Sequence, residues 1–141
     1  MLTGINIHEM RDYVSKLDPD KENPTIFKIG CLDPIIKAEI NDDATSFEVS
    51  SSNSSDMAKT SLNFNKRNIM AVKFGLKGLE NFMDPQTKKP VKFDTISVPK
   101  GGKNYNVVSD NIIALLGSKL IKELAEVILS ENQLSEEERK N

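Results

Sequence analysis

Tryptophan is absent from this 141-residue chain, and cysteine and histidine occur once each. Each scarcity removes a class of chemistry. Aromatic residues make up only 6% of the chain, too few for the stacking platforms on which proteins hold bases or sugars. Cys31 alone closes no internal disulfide, and a single thiol fits a reducing compartment. His8 has no cysteine or carboxylate at a ligand spacing, so no metal pattern forms around it. No apolar run approaches the roughly 18 residues of a membrane span, and the opening MLTGINIHEM lacks the basic-then-apolar order of a signal peptide. The expectation is a protein without metal, cofactor or membrane contact, working inside a cell or in a particle assembled there.

What is present is modest in apolar content (38%) and rich in charge (28%), enough for one core in a single domain, 1–141. The net charge of −2 hides an uneven layout. Residues 1–65 hold 6 Lys/Arg against 11 Asp/Glu, a net −5. Residues 66–103 hold 9 against 3, a net +6, and residues 104–141 hold 4 against 7, a net −3. A basic middle between acidic ends suits nucleic acid, or acidic parts of this chain or of a neighbouring copy. The acidic total and the absence of a recognition-helix pattern disfavour nucleic acid.

Along the chain, Ile7, Met10, Val14 and Leu17 have helical spacing, so 1–24 is expected to be an N-terminal helix followed by a proline-bounded turn. Thr25 to Leu32, "TIFKIGCL", reads as the best strand. Asp33-Pro34 opens a helix, with Asp33 accepting from first-turn amides and Pro34 at the first helical position. That helix is expected to be short, with a strand over "IKAEI" as the competing reading. The Ser/Asn-rich stretch 42–61 buries too little apolar surface to offset its ordering and is expected to be a mobile loop. Leu62 to Phe82 is expected to be one long helix with core positions Leu62, Ile69, Met70, Phe74 and Leu76, although Gly75 and Gly78 each cost it about 1 kcal/mol unless another backbone packs closely there. "PVKF" and "TISV" read as short strands inside an extended arm or hairpin, 85–104, with a turn at "PKGGKN". The C-terminal helices occupy 109–141, capped by Ser109 or Asp110, interrupted at Gly117 and buried along Leu120, Ile121, Leu124, Ile128 and Leu129. Ser135 and Glu138 have capping-box spacing.

The sum is an α+β fold: a small sheet, formed near Thr25 to Leu32 and Pro90 to Val98, packed against a central helix and the C-terminal helices.

No residue set announces catalysis. His8 reads as a surface residue of the first helix and Cys31 as a small core hydrophobe. Asp18, Asp20 and Glu22 alternate as in a calcium loop, but the loop's glycine is missing and its closing glutamate position is Ile29. Gly101 and its neighbours lack the spacing of a phosphate-cradling loop. Asp42-Asp43 and Glu136 to Glu138 read as solvated charge. Asn53-Ser54-Ser55 matches a glycosylation acceptor without a secretory context.

One stretch carries a likeness. "VKFGLKGLENFMDPQTKKPVKF" resembles small head- and tail-region proteins of tailed bacteriophages, through Val72, Phe74, Gly75, Gly78, Asn81, Phe82, Asp84, Val91 and Phe93. "NPTIFKIGCLDP" (Asn23 to Pro34) and "ELAEVILSENQLSEEERKN" (Glu123 to Asn141) agree with it. The chain departs from the pattern at Leu79, where the family has Trp, and at Lys88, where its turn has Gly. The resemblance implies a tail-assembly chaperone or accessory virion protein, located in the virion or the host cytoplasm. Such a protein is non-enzymatic and binds other phage structural proteins, with self-association as a further possibility. Phe82, Lys88, Lys89, Val91 and Phe93 are the expected partner-binding residues. A small nucleic-acid-binding accessory protein using the basic 66–103 segment (Lys66, Arg67, Lys73, Lys77, Lys88, Lys89 and Lys92) is the alternative, and a hydrolase ranks third.

Overall fold

The computed structural model describes residues 1–4, 6–50 and 54–140, with side chains described over 1–4, 6–42 and 65–131. The strand expected after Pro24 is β2, Ile26–Gly30. Its alternation buries Phe27 and Ile29, 1% and 4% exposed, and turns Lys28 outward. β2 is the middle of a three-stranded antiparallel sheet, between β1 (Met10–Val14) and β3 (Leu76–Glu80).

β1 is a strand where the apolar spacing predicted a helix. Ile7, Met10, Val14 and Leu17 are 66%, 57%, 44% and 58% exposed, so their spacing marks no buried face. The buried side of this segment is polar: Tyr13 is half-buried and Ser15 is 5% exposed, each satisfied by a hydrogen bond to a distant helix.

After β2, α1 runs over Pro34–Ser50. Asp33 starts it as expected, its carboxylate accepting from Ile35 N at 2.9 Å and its carbonyl from Lys37 N at 2.9 Å. The helix is longer than expected, and α2 covers Ser54–Gly75. Helical backbone therefore takes up most of 42–61, where a loop was predicted; residues 51–53 lie outside the described residues.

The predicted central helix ends early. At Gly75 the chain leaves α2 and enters β3 directly. A side chain at Gly75 would sit 2.5 Å from Ile128 Cγ2, so the glycine marks the close approach of the C-terminal helix. Leu76 and Leu79 are both buried although their positions differ by three, an odd offset that a regular strand would turn to opposite faces, because β2 and β3 slip register between Lys28 and Ile29.

The second sheet is a separate hairpin rather than a continuation of the first. β4 (Thr95–Lys100) pairs only with β5 (Lys103–Val108). Gly101 and Gly102, φ 57° and 79°, form the two-residue loop, in which both positions need a left-handed backbone. Residues 90–93 form no strand, and only Pro90 bridges to Met83.

α3 spans Asp110–Lys140 and is broken at Gly117 (φ 76°, ψ 165°), as its sequence indicates. Its buried stripe of Ile121, Leu124, Ala125 and Ile128 joins Ile36, Ile40, Val72, Phe74 and Val107 in one core. Phe74 meets Tyr105 edge-on at 5.7 Å. The class is α+β, with α3 packed on the three-stranded sheet.

Candidate protein-binding surface

β1 lies at the outer edge of its sheet, paired only with β2 among the described strands. Its two faces differ in chemistry. The inner face docks on α3 through two carboxylates, Glu123 and Glu131. Tyr13 Oη donates to Glu123 Oε2 at 2.7 Å, Ser15 Oγ to Oε1 at 2.8 Å and Lys16 N to Oε2 at 3.1 Å. Burial alone pushes Glu123 up, but these three donors outweigh it and hold the acid below its ordinary value. Burial first, then the bond to Glu123 and the charges of Glu123 and Glu126, push the Tyr13 phenol up to about 12. Arg11 Nη1 reaches both oxygens of Glu131 at 2.9 and 2.8 Å. A groove of about 430 Å³ beside this contact is lined by Arg11, Tyr13, Ile29, Glu126, Val127 and Glu131, among others.

The outer face is different. Lys28 Nζ lies 2.6 Å from Asp12, and the Lys28 stem covers Gly78 while the Lys77 stem covers Gly30. Bonding and attraction to Asp12 hold Lys28 above its ordinary value. Burial holds Lys77 below its own, although much of its side chain still meets solvent. Met10 and Val14 flank Asp12 on this face and stay exposed, with Ile7 and Leu17 beyond the strand's ends.

The residues expected to reach a partner sit on a folded finger. Asn81, φ 58°, turns the chain out of β3, and its amide donates to Asn23 Oδ1 at 2.9 Å. Val91 N donates to Phe82 O at 2.6 Å and Asp84 N to Lys89 O at 2.9 Å, closing the finger. Asp84 Oδ1 accepts from Gln86 N at 2.8 Å and Thr87 N at 3.3 Å, and Lys88 takes φ 60°. Phe82, Val91 and Phe93 are half-buried against the protein's own core, Phe82 with its ring 6.4 Å from that of Phe27. Lys88 and Lys89 are exposed at the tip. Of the five, then, only the two lysines face solvent openly, and the apolar three anchor the finger.

The basic segment distributes over several elements. Lys66, Lys73 and Lys100 border an apolar cleft of about 300 Å³ between α2 and the hairpin. Lys73 pairs with Asp110 at 3.1 Å and Lys100 with Glu39 at 2.8 Å. Lys103 pairs with Asp33 at 3.0 Å and lies 5.0 Å from the Tyr105 ring. Burial works to raise Asp33, but Lys103 and the Ile35 amide hold it below its ordinary range. The Tyr105 hydroxyl is buried and has no hydrogen-bond partner among the described residues.

The remaining candidates stay apart. His8 is exposed in a turn rather than on a helix, its amide bonded to Asn6 Oδ1. Cys31 lies just past β2, half-buried rather than in the core, with Sγ 3.9 Å from Asn6 O. Asp18 and Asp20 cap their own turn, accepting from Thr25 N, Asp20 N, Glu22 N and Asn23 N. The Thr25 amide foremost holds Asp18 below its ordinary value. Asn53 and the side chains of Asp43 and Glu136 to Glu138 lie outside the described residues. Among the described residues no group of three metal-ligating side chains converges, and no helix is long and apolar enough to cross a membrane.

Sequence reasoning took the β1 residues for one face of a helix and so missed their exposure. The alternation of Arg11, Tyr13 and Ser15 was the available signal. In comparisons with known proteins, no family model, curated protein or solved structure matches the chain.

Proposed function

We propose that the chain is a non-enzymatic bacteriophage protein of the head–tail region that works by holding other proteins, during assembly or in the finished particle. It would thus act in the virion or the host cytoplasm. The observation that carries the binding part is the edge of β1, where Met10 and Val14 stand in water on a strand with no described partner on that side, and Ile7 and Leu17 are exposed in the turns beyond its two ends. Such an edge is a template for an incoming strand, with backbone bonds supplying affinity and alternate side chains specificity.

The phage part rests on the resemblance over Val72 to Phe93 and its flanks. Lys88 supports it, because the position where those proteins carry Gly has a left-handed backbone here, φ 60°.

The test is binding to the products of neighbouring genes across a salt series. Strand addition predicts affinity that changes little with salt and falls about tenfold or more when Met10 and Val14 both become Lys. A major tail protein as the partner places the chain in tail assembly, and a capsid protein in a decoration or connector role. Tight nucleic-acid binding that collapses with rising salt, and is lost when Lys66, Lys88 and Lys89 become Gln, would replace this reading with the alternative.

A further inference from the structure

The exposed apolar residues in and around β1 are spaced symmetrically in the sequence. Met10 and Val14 each lie two residues from Asp12, and Ile7 and Leu17 each lie five from it. We infer that β1 pairs antiparallel with β1 of a second copy, on a two-fold axis through Asp12, joining the two three-stranded sheets edge to edge. This rests on the reading of β1 as a binding edge and names the partner.

The two-fold constrains the register. When two identical strands extend a sheet, residues facing each other must share a sheet face, so only registers centred on a residue are available. Centred on Asp12, Met10 faces Val14 of the second copy and Val14 faces Met10. Each becomes an apolar cross-strand pair. Centred one residue earlier, Arg11 would face Arg11 and Met10 would face Asp12. Centred one later, Val14 would face Asp12. Both alternatives set an apolar side chain against a carboxylate, and the first also opposes two guanidinium groups.

The centred register has one cost, Asp12 facing its own copy. Each Asp12 already has Lys28 at 2.6 Å, so the row across the junction reads lysine, aspartate, aspartate, lysine, and the flanking lysines offset the repulsion of the central pair. On the inner side, Arg11, Tyr13 and Ser15 are bonded to Glu131 and Glu123 of their own chain. The outer face and the strand edge are left for the second copy. A single strand pair is a small interface, so the dimer is weak and concentration-dependent.

Sedimentation from about 1 µM to about 500 µM brackets the association range of such an interface, and mass should rise towards that of a dimer. Met10→Lys combined with Val14→Lys should stay monomeric with an unchanged circular dichroism spectrum. Cross-linking reads the register in a Cys31→Ser background. Asp12→Cys protein should form a disulfide-linked dimer under mild oxidant. Met10→Cys protein and Val14→Cys protein should each fail alone and cross-link when mixed. A monomer at every concentration overturns the inference, as does a dimer that survives the double lysine change. In either case, loss of a different protein partner by the double lysine variant keeps the binding edge and removes only the second copy as occupant. Retention of both the dimer and that partner removes the edge itself.

Discussion

Two glycines that sequence reasoning treated alike have different roles. At Gly75 an added Cβ would meet Ile128 Cγ2 at 2.5 Å and Cδ1 at 3.1 Å, and Ile128 is fully buried. It has nowhere to move, so Gly75→Ala should destabilise by about 1–3 kcal/mol. At Gly78 the nearest atom is Lys28 Cγ at 2.7 Å, part of a flexible side chain on a solvated face. Gly78→Ala should therefore change stability by less than about 1 kcal/mol, since the lysine swings aside and alanine is the stiffer strand residue. Urea melts of the two variants separate the cases, and equal losses would mean that the α2–α3 approach is not the constraint. Lys88 offers the converse substitution. Its φ of 60° strains any side chain, and Lys88→Gly should hold or raise stability by about 0.5–1 kcal/mol, read as an unchanged or higher denaturation midpoint.

Among the elements, α3 carries the largest single expectation. Leu124 is fully buried on the face of α3 that meets the core, so Leu124→Ala should cost about 2–5 kcal/mol in denaturant unfolding. This stripe was readable from sequence because periodicity, capping and glycine stops are local chemistry. The same holds for the Asp33-Pro34 start of α1, the Gly101-Gly102 loop and the break at Gly117. β1 was not readable in that way. Its apolar residues carry a helical spacing but face water, and its buried residues are polar ones satisfied by Glu123, more than a hundred positions away. β3 was hidden for another reason: the register slip puts both Leu76 and Leu79 inward, which mimics a helix. The candidate edge was therefore present as residues in the sequence but misassigned as a face. The finger's apolar residues Phe82, Val91 and Phe93 were expected to bind a partner; each is half-buried against the protein's own core, Phe82 beside Phe27, and part of each stays exposed.

The two ends of the chain meet at Glu123, and this ties stability to pH. Folding lowers the proton affinity of Glu123, because Tyr13, Ser15 and the Lys16 amide donate to the charged form. Its contribution is therefore complete above the ordinary glutamate range and is lost as pH falls through that range and through the lower folded value. Asp18 and Asp33 are shifted the same way, so they share the acid loss. Tyr13 acts at the other extreme. Its folded value of about 12 lies above the ordinary 10.0, so its contribution is complete below the ordinary value and fades as pH rises from there through the folded one. Glu123→Gln should cost roughly 1–2 kcal/mol at neutral pH, where three donors lose a charged acceptor. It should also flatten, without abolishing, the decline of stability between neutral and acid pH. In an alkaline absorbance titration the same variant should bring Tyr13 ionisation back towards the ordinary tyrosine value, and Tyr13→Phe should delete that late step. An acid profile identical to that of the unsubstituted protein would show that Glu123 does not hold β1 on α3. The outer edge of β1 would then have no fixed frame from which to receive a partner.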